Sequence, residues 1–135
     1  MKKLICHCGA VEIEVNLKDG LTNLKRCNCS MCKRKGAIIK NINKEDLKIT
    51  KGEDKLNVYQ FKTKVAKHYF CTMCGIHTHN LRRADPNTYG INVACLEAIS
   101  FQKGNISRSQ LLNLAKKINN TKYTNYLIKI ADNGH

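Results

Sequence analysis

The chain has 135 residues, which is one domain with material for a modest core. Its 24 Lys and Arg against 10 Asp and Glu leave a net charge of +14, which raises the question of an anionic partner. Lysine is spread through nearly every segment, with no run of about five like charges. The charge therefore reads as solvated faces, nucleic acid is not the expected partner, and a locally basic site for an acidic ligand stays open. No apolar run is long enough to cross a membrane, and only Leu4 and Ile5 stand between the initial Met-Lys-Lys and Cys6, too little for a secretory signal. The expected location is the cytoplasm, where thiols stay reduced.

In chain order, Val11, Ile13, Val15 and Leu17 alternate with polar residues and predict a strand with one buried face, closed by a turn at Asp19-Gly20. Asn43 to Leu47 suits one short helical turn. The stretch from Lys55 to Lys67 reads as strand, and so does Tyr89 to Leu96, where Tyr89, Ile91, Val93 and Cys95 alternate. From Ser107 the pattern changes. Ser107-Arg-Ser-Gln110 has the form of a capping box, and Leu111, Leu112, Leu114, Ala115 and Ile118 follow at helical spacing. Tyr123, Tyr126, Leu127 and Ile130 continue that period after a break at Asn119-Asn120, so 107–130 is expected to be helical. The organisation expected is a β-rich domain over 1–100 and a basic helical extension over 101–135. That extension carries six Lys or Arg and one acid, a net +5.

Seven of the eight cysteines fall into three groups: Cys6-His7-Cys8, Cys27-Asn28-Cys29-Ser30-Met31-Cys32 and Cys71-Thr72-Met73-Cys74. In a reducing compartment such spacing favours metal over disulfide scaffolding. A structural zinc site takes four ligands, and a working one takes three with an open position, so seven thiols match one site of each kind. The pairs at Cys6/Cys8 and Cys71/Cys74 lie too far apart for a local zinc finger. Joined, they would staple the start of the chain to its middle, with Gly75 suiting the tight turn of the second knuckle. Cys27, Cys29 and Cys32 can bind one metal from a single loop, with the fourth position left to water, to a ligand, or to one of His68, His77, His79 or Cys95. Cys95 itself reads better as a buried thiol. Lys33, Arg34 and Lys35 follow Cys32 directly, and Arg82-Arg83 follows the histidine-rich segment. Either cluster could be a solvated face or could attract an anionic ligand.

Three stretches carry a resemblance to a known family: Cys6-His-Cys-Gly-Ala-Val11, Cys27-Asn-Cys-Ser-Met-Cys32-Lys-Arg-Lys-Gly-Ala37 and Phe70-Cys-Thr-Met-Cys-Gly75. In order and at these separations they resemble the glutathione-dependent formaldehyde-activating enzyme family, which also includes centromere protein V. The likeness covers roughly residues 4–98 and fades after Glu97. The resemblance implies a mainly β, Mss4-like fold of several small antiparallel sheets around zinc. It implies that Cys6, Cys8, Cys71 and Cys74 hold a structural zinc and that Cys27, Cys29 and Cys32 hold a second, exchangeable one. Glutathione would be the co-substrate, with Lys33, Arg34 and Lys35 near its carboxylates. The implied activity is that of a carbon–sulfur lyase acting on a small thiol adduct such as S-hydroxymethylglutathione. Two other classes stay open: a module that binds a thiol without turnover, and an interaction protein working through its basic tail.

Overall fold

The computed structural model describes residues 1–96, 107–118 and 121–133. The domain boundary expected near residue 100 and the break at Asn119-Asn120 lie outside the described residues. Eight strands form two antiparallel sheets. The smaller has three strands in the order β1-β2-β4, with β1 at Lys2–Ile5, β2 at Glu12–Val15 and β4 at Leu47–Lys51. The alternation read from Val11 onward is realised here, with Ile13 and Val15 buried and Glu12 and Glu14 on the other face.

The larger sheet runs β3-β8-β7-β6-β5. Its strands are β3 Ile39–Asn43, β5 Leu56–Tyr59, β6 Lys67–Cys71, β7 His77–Leu81 and β8 Thr88–Asn92. Between the sheets lies one core of Leu4, Cys6, Val11, Ile13, Val15, Ile42, Cys71, Ile91, Cys95 and Leu96. The short turn expected near Asn43 is a 3-10 turn at Lys44–Asp46. Two expectations change. The chain from Lys55 to Lys67 is not one strand, because β5 ends at Tyr59 and a loop with left-handed Lys62 and Lys64 follows. The strand expected to reach Leu96 stops at Asn92, and residues 94–96 are helical.

The tail forms two helices, α2 at Arg108–Lys117 and α3 at Thr121–Asn133, numbered after α1 at Ser30–Lys35. The capping box is complete: Ser107 Oγ accepts from Gln110 N–H, and Gln110 Oε1 accepts from Ser107 N–H. Thr124 Oγ1 donates to the carbonyls of Ala115 and Ile118 at the end of α2, and Arg108 pairs with Asp132 across the hairpin. The apolar faces of both helices close a second core around Ile38 and Val93, with Leu111, Ala115, Ile118, Tyr123, Leu127 and Ala131 buried in it. Among the described residues no helix is long and apolar enough to cross a membrane.

Candidate metal centres and the cavity between them

The first cluster is built from two knuckles of different sheets. Cys6 ends the run from β1 and Cys71 ends β6, and each is followed by a turn whose glycine, Gly9 at φ 75° and Gly75 at φ 73°, occupies the left-handed region. The turns are locked by Cys6 N–H to the Val11 carbonyl at 3.1 Å and by Cys71 N–H to the Ile76 carbonyl at 2.9 Å. The four sulfurs of Cys6, Cys8, Cys71 and Cys74 all lie within 4.8 Å of one another. Sγ of Cys8 stands 3.6 Å from that of Cys6 and 3.7 Å from that of Cys71. A tetrahedral ion with bonds of about 2.3 Å to sulfur has edges of about 3.8 Å, so this donor set fits such an ion. Val11 N–H also points at Cys6 Sγ from 3.2 Å, a contact suited to a thiolate. Burial pushes the Cys6 thiol up to about 12. Cys74 goes the other way. Burial opposes its ionisation, but backbone N–H groups and the neighbouring thiols outweigh that and bring it down to about 6.

The second cluster, Cys27, Cys29 and Cys32, also has its sulfurs within 4.8 Å of one another. A single loop is the expectation for this stretch. Instead Cys29 caps α1, its sulfur accepting from Cys32 N–H at 3.3 Å, and the helix stops at Gly36. A bridge between Lys25 and Ile39 tethers the segment at its root, with N–H to carbonyl distances of 3.0 and 2.9 Å. The triplet is thereby pinned to the outer edge of β3. Burial pushes the Cys32 thiol up to about 12, against the nearby charge of Lys35. Burial also opposes ionisation of Cys29, yet N–H and thiol donors hold that thiol below its ordinary value.

Among the described residues none of the histidines joins the triplet, and Cys95 is buried outside both clusters. His68 comes nearest in function. It lines the same cavity, its Nδ1 stands 2.8 Å from Lys35 Nζ, and burial and then Lys35 lower its pKa to about 4. The imidazole is therefore neutral, and because Lys35 donates to Nδ1 the ring proton sits on Nε2. His77 is pushed down to about 3 by burial and then by Lys35, and its ring nitrogens are buried.

The cavity beside the triplet has a volume of about 530 Å³. Its floor is formed by Asn41, Asn80 and His68, which belong to one cross-strand row set by register: Asn41 opposite Gly90, Gly90 opposite Asn80, and Asn80 opposite His68. Gly90 is not itself among the lining residues: a Cβ there would stand 2.7 Å from Ile39 Cγ2 and 3.0 Å from Asn80 Oδ1, so two lining side chains already pack over it. One wall is the loop after β5, with Phe61 stacked on His68 at 5.7 Å between ring centroids. The charged lining is Lys25, Lys62, Arg82 and Arg83. Lys33 and Arg34 are exposed and are not among the lining residues, while Lys35 is half-buried against His68. The row Asn41, Gly90, Asn80 and His68 has no signal in the sequence, because only strand register makes these residues neighbours.

The family profile of the glutathione-dependent formaldehyde-activating enzymes matches residues 1–109. The chain belongs to this family. The match runs past the end of the likeness expected from the motifs and reaches the first turn of α2. Among the formaldehyde-activating relatives, a Pyrenophora teres f. teres protein that carries the family name provisionally is 30% identical over 106 residues, 76% of this chain and 55% of its own length. One from Penicillium rubens, also provisionally named, is 29% identical over 106 residues, 76% of this chain and 54% of its own. The chain thus spans about half the length of the curated relatives it matches. A crystal structure of a Rhodobacter sphaeroides protein superposes with a TM-score of 0.68 at 53% identity, covering 70% of this chain and 87% of that one. The fold is the mainly β, Mss4-like one, with cysteine clusters suited to metal and helices at the C-terminal end.

Proposed function

We propose that this protein is a two-zinc enzyme that makes or cleaves the adduct of a small thiol with an aldehyde, in the manner of its family's reaction of glutathione with formaldehyde. The observation that carries the reading is the pairing of a three-sulfur cluster with an adjoining basic cavity of about 530 Å³. On this reading Cys6, Cys8, Cys71 and Cys74 hold a structural zinc. Cys27, Cys29 and Cys32 hold the second, with one position left for the substrate. Zinc there, when bound, favours the thiolate form of an entering thiol and polarises an oxygen.

The chain's own groups supply the rest. Cavity cations hold the anionic groups of the thiol, and Phe61 with the loop after β5 covers one side of the site. In the forward direction the substrate sulfur attacks the aldehyde carbon. A carbon–sulfur bond forms, the carbonyl π pair moves to oxygen, and that oxygen takes up the proton the thiol gave. His68, neutral and protonated on Nε2, lines the cavity and on this reading donates a hydrogen bond to that oxygen. Cleavage runs the same steps backwards.

A second reading, a thiol-binding module without turnover, is favoured by the donor set itself. Three sulfurs plus an entering fourth reproduce the composition of the closed cluster, in which sulfur is held and made less nucleophilic. Zinc-loaded protein with formaldehyde and a thiol separates the two. Adduct formation above the spontaneous rate, abolished by Cys29→Ser in a folded protein, is the expected result. Tight thiol binding with no acceleration overturns the enzyme in favour of the module.

A further inference from the structure

The thiol that suits this cavity is narrower than the family name suggests, given the reading that a thiol enters at the triplet. We propose that the site selects thiols carrying two or more anionic groups and no ammonium. Lys25, Lys62, Arg82 and Arg83 line the cavity, and among the described residues no Asp or Glu does. Among the described residues none of the four stands in an ion pair. Arg82 is oriented by donating from Nη1 to Thr88 Oγ1 at 3.0 Å, which leaves its charge uncompensated. Asp85, the nearest acid in sequence, folds into its own turn, where its Oδ1 accepts from Asn87 N–H at 3.0 Å.

The other polar lining is neutral. Asn41 and Asn80 form the floor, and His68 is uncharged with the cation of Lys35 behind it. Among the described lining residues no carboxylate stands ready to pair with an ammonium. Three thiolates and one divalent ion sum to −1, so with the four lining cations and Lys35 the loaded site stands at +4. A thiolate bearing two carboxylates neutralises most of that charge. Glutathione bears two carboxylates as well, but its γ-glutamyl ammonium sets a positive charge among positive neighbours, and such like-charge placement weakens binding. The ligand class is therefore a dicarboxylate or phosphate-bearing thiol with any amine blocked or absent. The overall charge of +14 adds attraction for such anions at long range.

The test is equilibrium binding to cobalt-loaded protein, read from the sulfur-to-cobalt charge-transfer band. The probes are glutathione, glutathione acetylated on its α-amino group, mercaptosuccinate, and 2-mercaptoethanol as an uncharged control. At low salt the acetylated peptide or mercaptosuccinate is expected to bind about tenfold more tightly than glutathione. That advantage should shrink in Arg82→Gln/Arg83→Gln and in Lys62→Gln, each checked for native circular dichroism, and at about 0.5 M salt. Glutathione binding as tightly as both amine-free thiols, or more tightly, overturns the proposal while leaving a thiol site in place. If no probe moves the band, the reading of a thiol at the triplet falls and the proposal falls with it.

Discussion

At the scale of single residues, two positions set the site and its surroundings. Gly90 is needed because Ile39 and Asn80 pack where its Cβ would stand. Ile39 is β-branched and buried, so its Cγ2, 2.7 Å from a Cβ at position 90, cannot swing aside. Gly90→Ala is expected to cost about 1–3 kcal/mol, as overpacking does, and to displace Ile39 and Asn80, which line the cavity. Denaturant unfolding and thiol affinity should both register it, and an unchanged affinity would mean the ligand never reaches the floor. His79 acts on stability instead. Its ring stacks on Tyr69 at 4.4 Å and meets Tyr89 edge-on at 5.3 Å, and burial lowers its pKa to about 4. Between that value and the ordinary one near 6.5 the unfolded chain binds a proton that the folded chain refuses. The stabilisation is whole above about 6.5 and is lost as pH falls towards 4. One such group gives a slope of about 1.4 kcal/mol per pH unit. His79→Phe keeps the stacking and should flatten the pH dependence of unfolding across that window by about this amount. An equal slope in both proteins would show that His79 does not carry it.

At the scale of elements, the helical tail tests whether sequence pattern and packing agree. Leu111, Ala115 and Leu127 are fully or almost fully buried against Ile38 and Val93, which belong to the β-rich part. The apolar face of the tail is thus covered by the chain's own core. Leu127→Ala is expected to cost about 2–5 kcal/mol. It should lower the midpoint of one shared transition when helical and β signals are followed together by circular dichroism. Two separate transitions would mean that the tail folds apart from the rest. The two helices of the tail are legible because helical period and capping box announce themselves locally. The alternation from Tyr89 to Cys95 is legible but misleading, since a strand ending at Asn92 followed by a helical turn buries Val93 and Cys95 as a longer strand would, and buries Leu96 besides. Helix α1 left no trace, for it is six residues long and buries none of them. What holds it is Cys29 at one end and Gly36 at the other. The cysteine groups were plain in the sequence, whereas the four cations and the polar floor around the cavity depend on pairings between distant strands.

At the scale of the whole molecule, the question is what keeps two small sheets together in a chain with so much positive charge. Cys6 and Cys8 belong to the three-stranded sheet and Cys71 and Cys74 to the five-stranded one, so an ion held by all four ties the sheets across their common core. The triplet ties nothing comparable, since its three ligands come from one short segment already fixed to β3 by the Lys25–Ile39 bridge. On the proposed roles, loss of metal from the first cluster is expected to unfold the chain, and loss from the second is not. Exposure runs in the same order: Cys6 and Cys71 are buried, whereas none of the three triplet cysteines is. Stepwise chelation of protein loaded with two zincs should release one equivalent early, with circular dichroism and melting temperature nearly unchanged. The second should leave only as the fold is lost. Cys29→Ser should retain one zinc and a native melt, and Cys71→Ser should fail to fold or melt far lower. Early release that unfolds the chain, or a natively melting Cys71→Ser with two zincs, would reverse the two roles. A thiol substrate would then have to be sought at the cluster between the sheets, where the buried sulfurs of Cys6 and Cys71 leave it far less room.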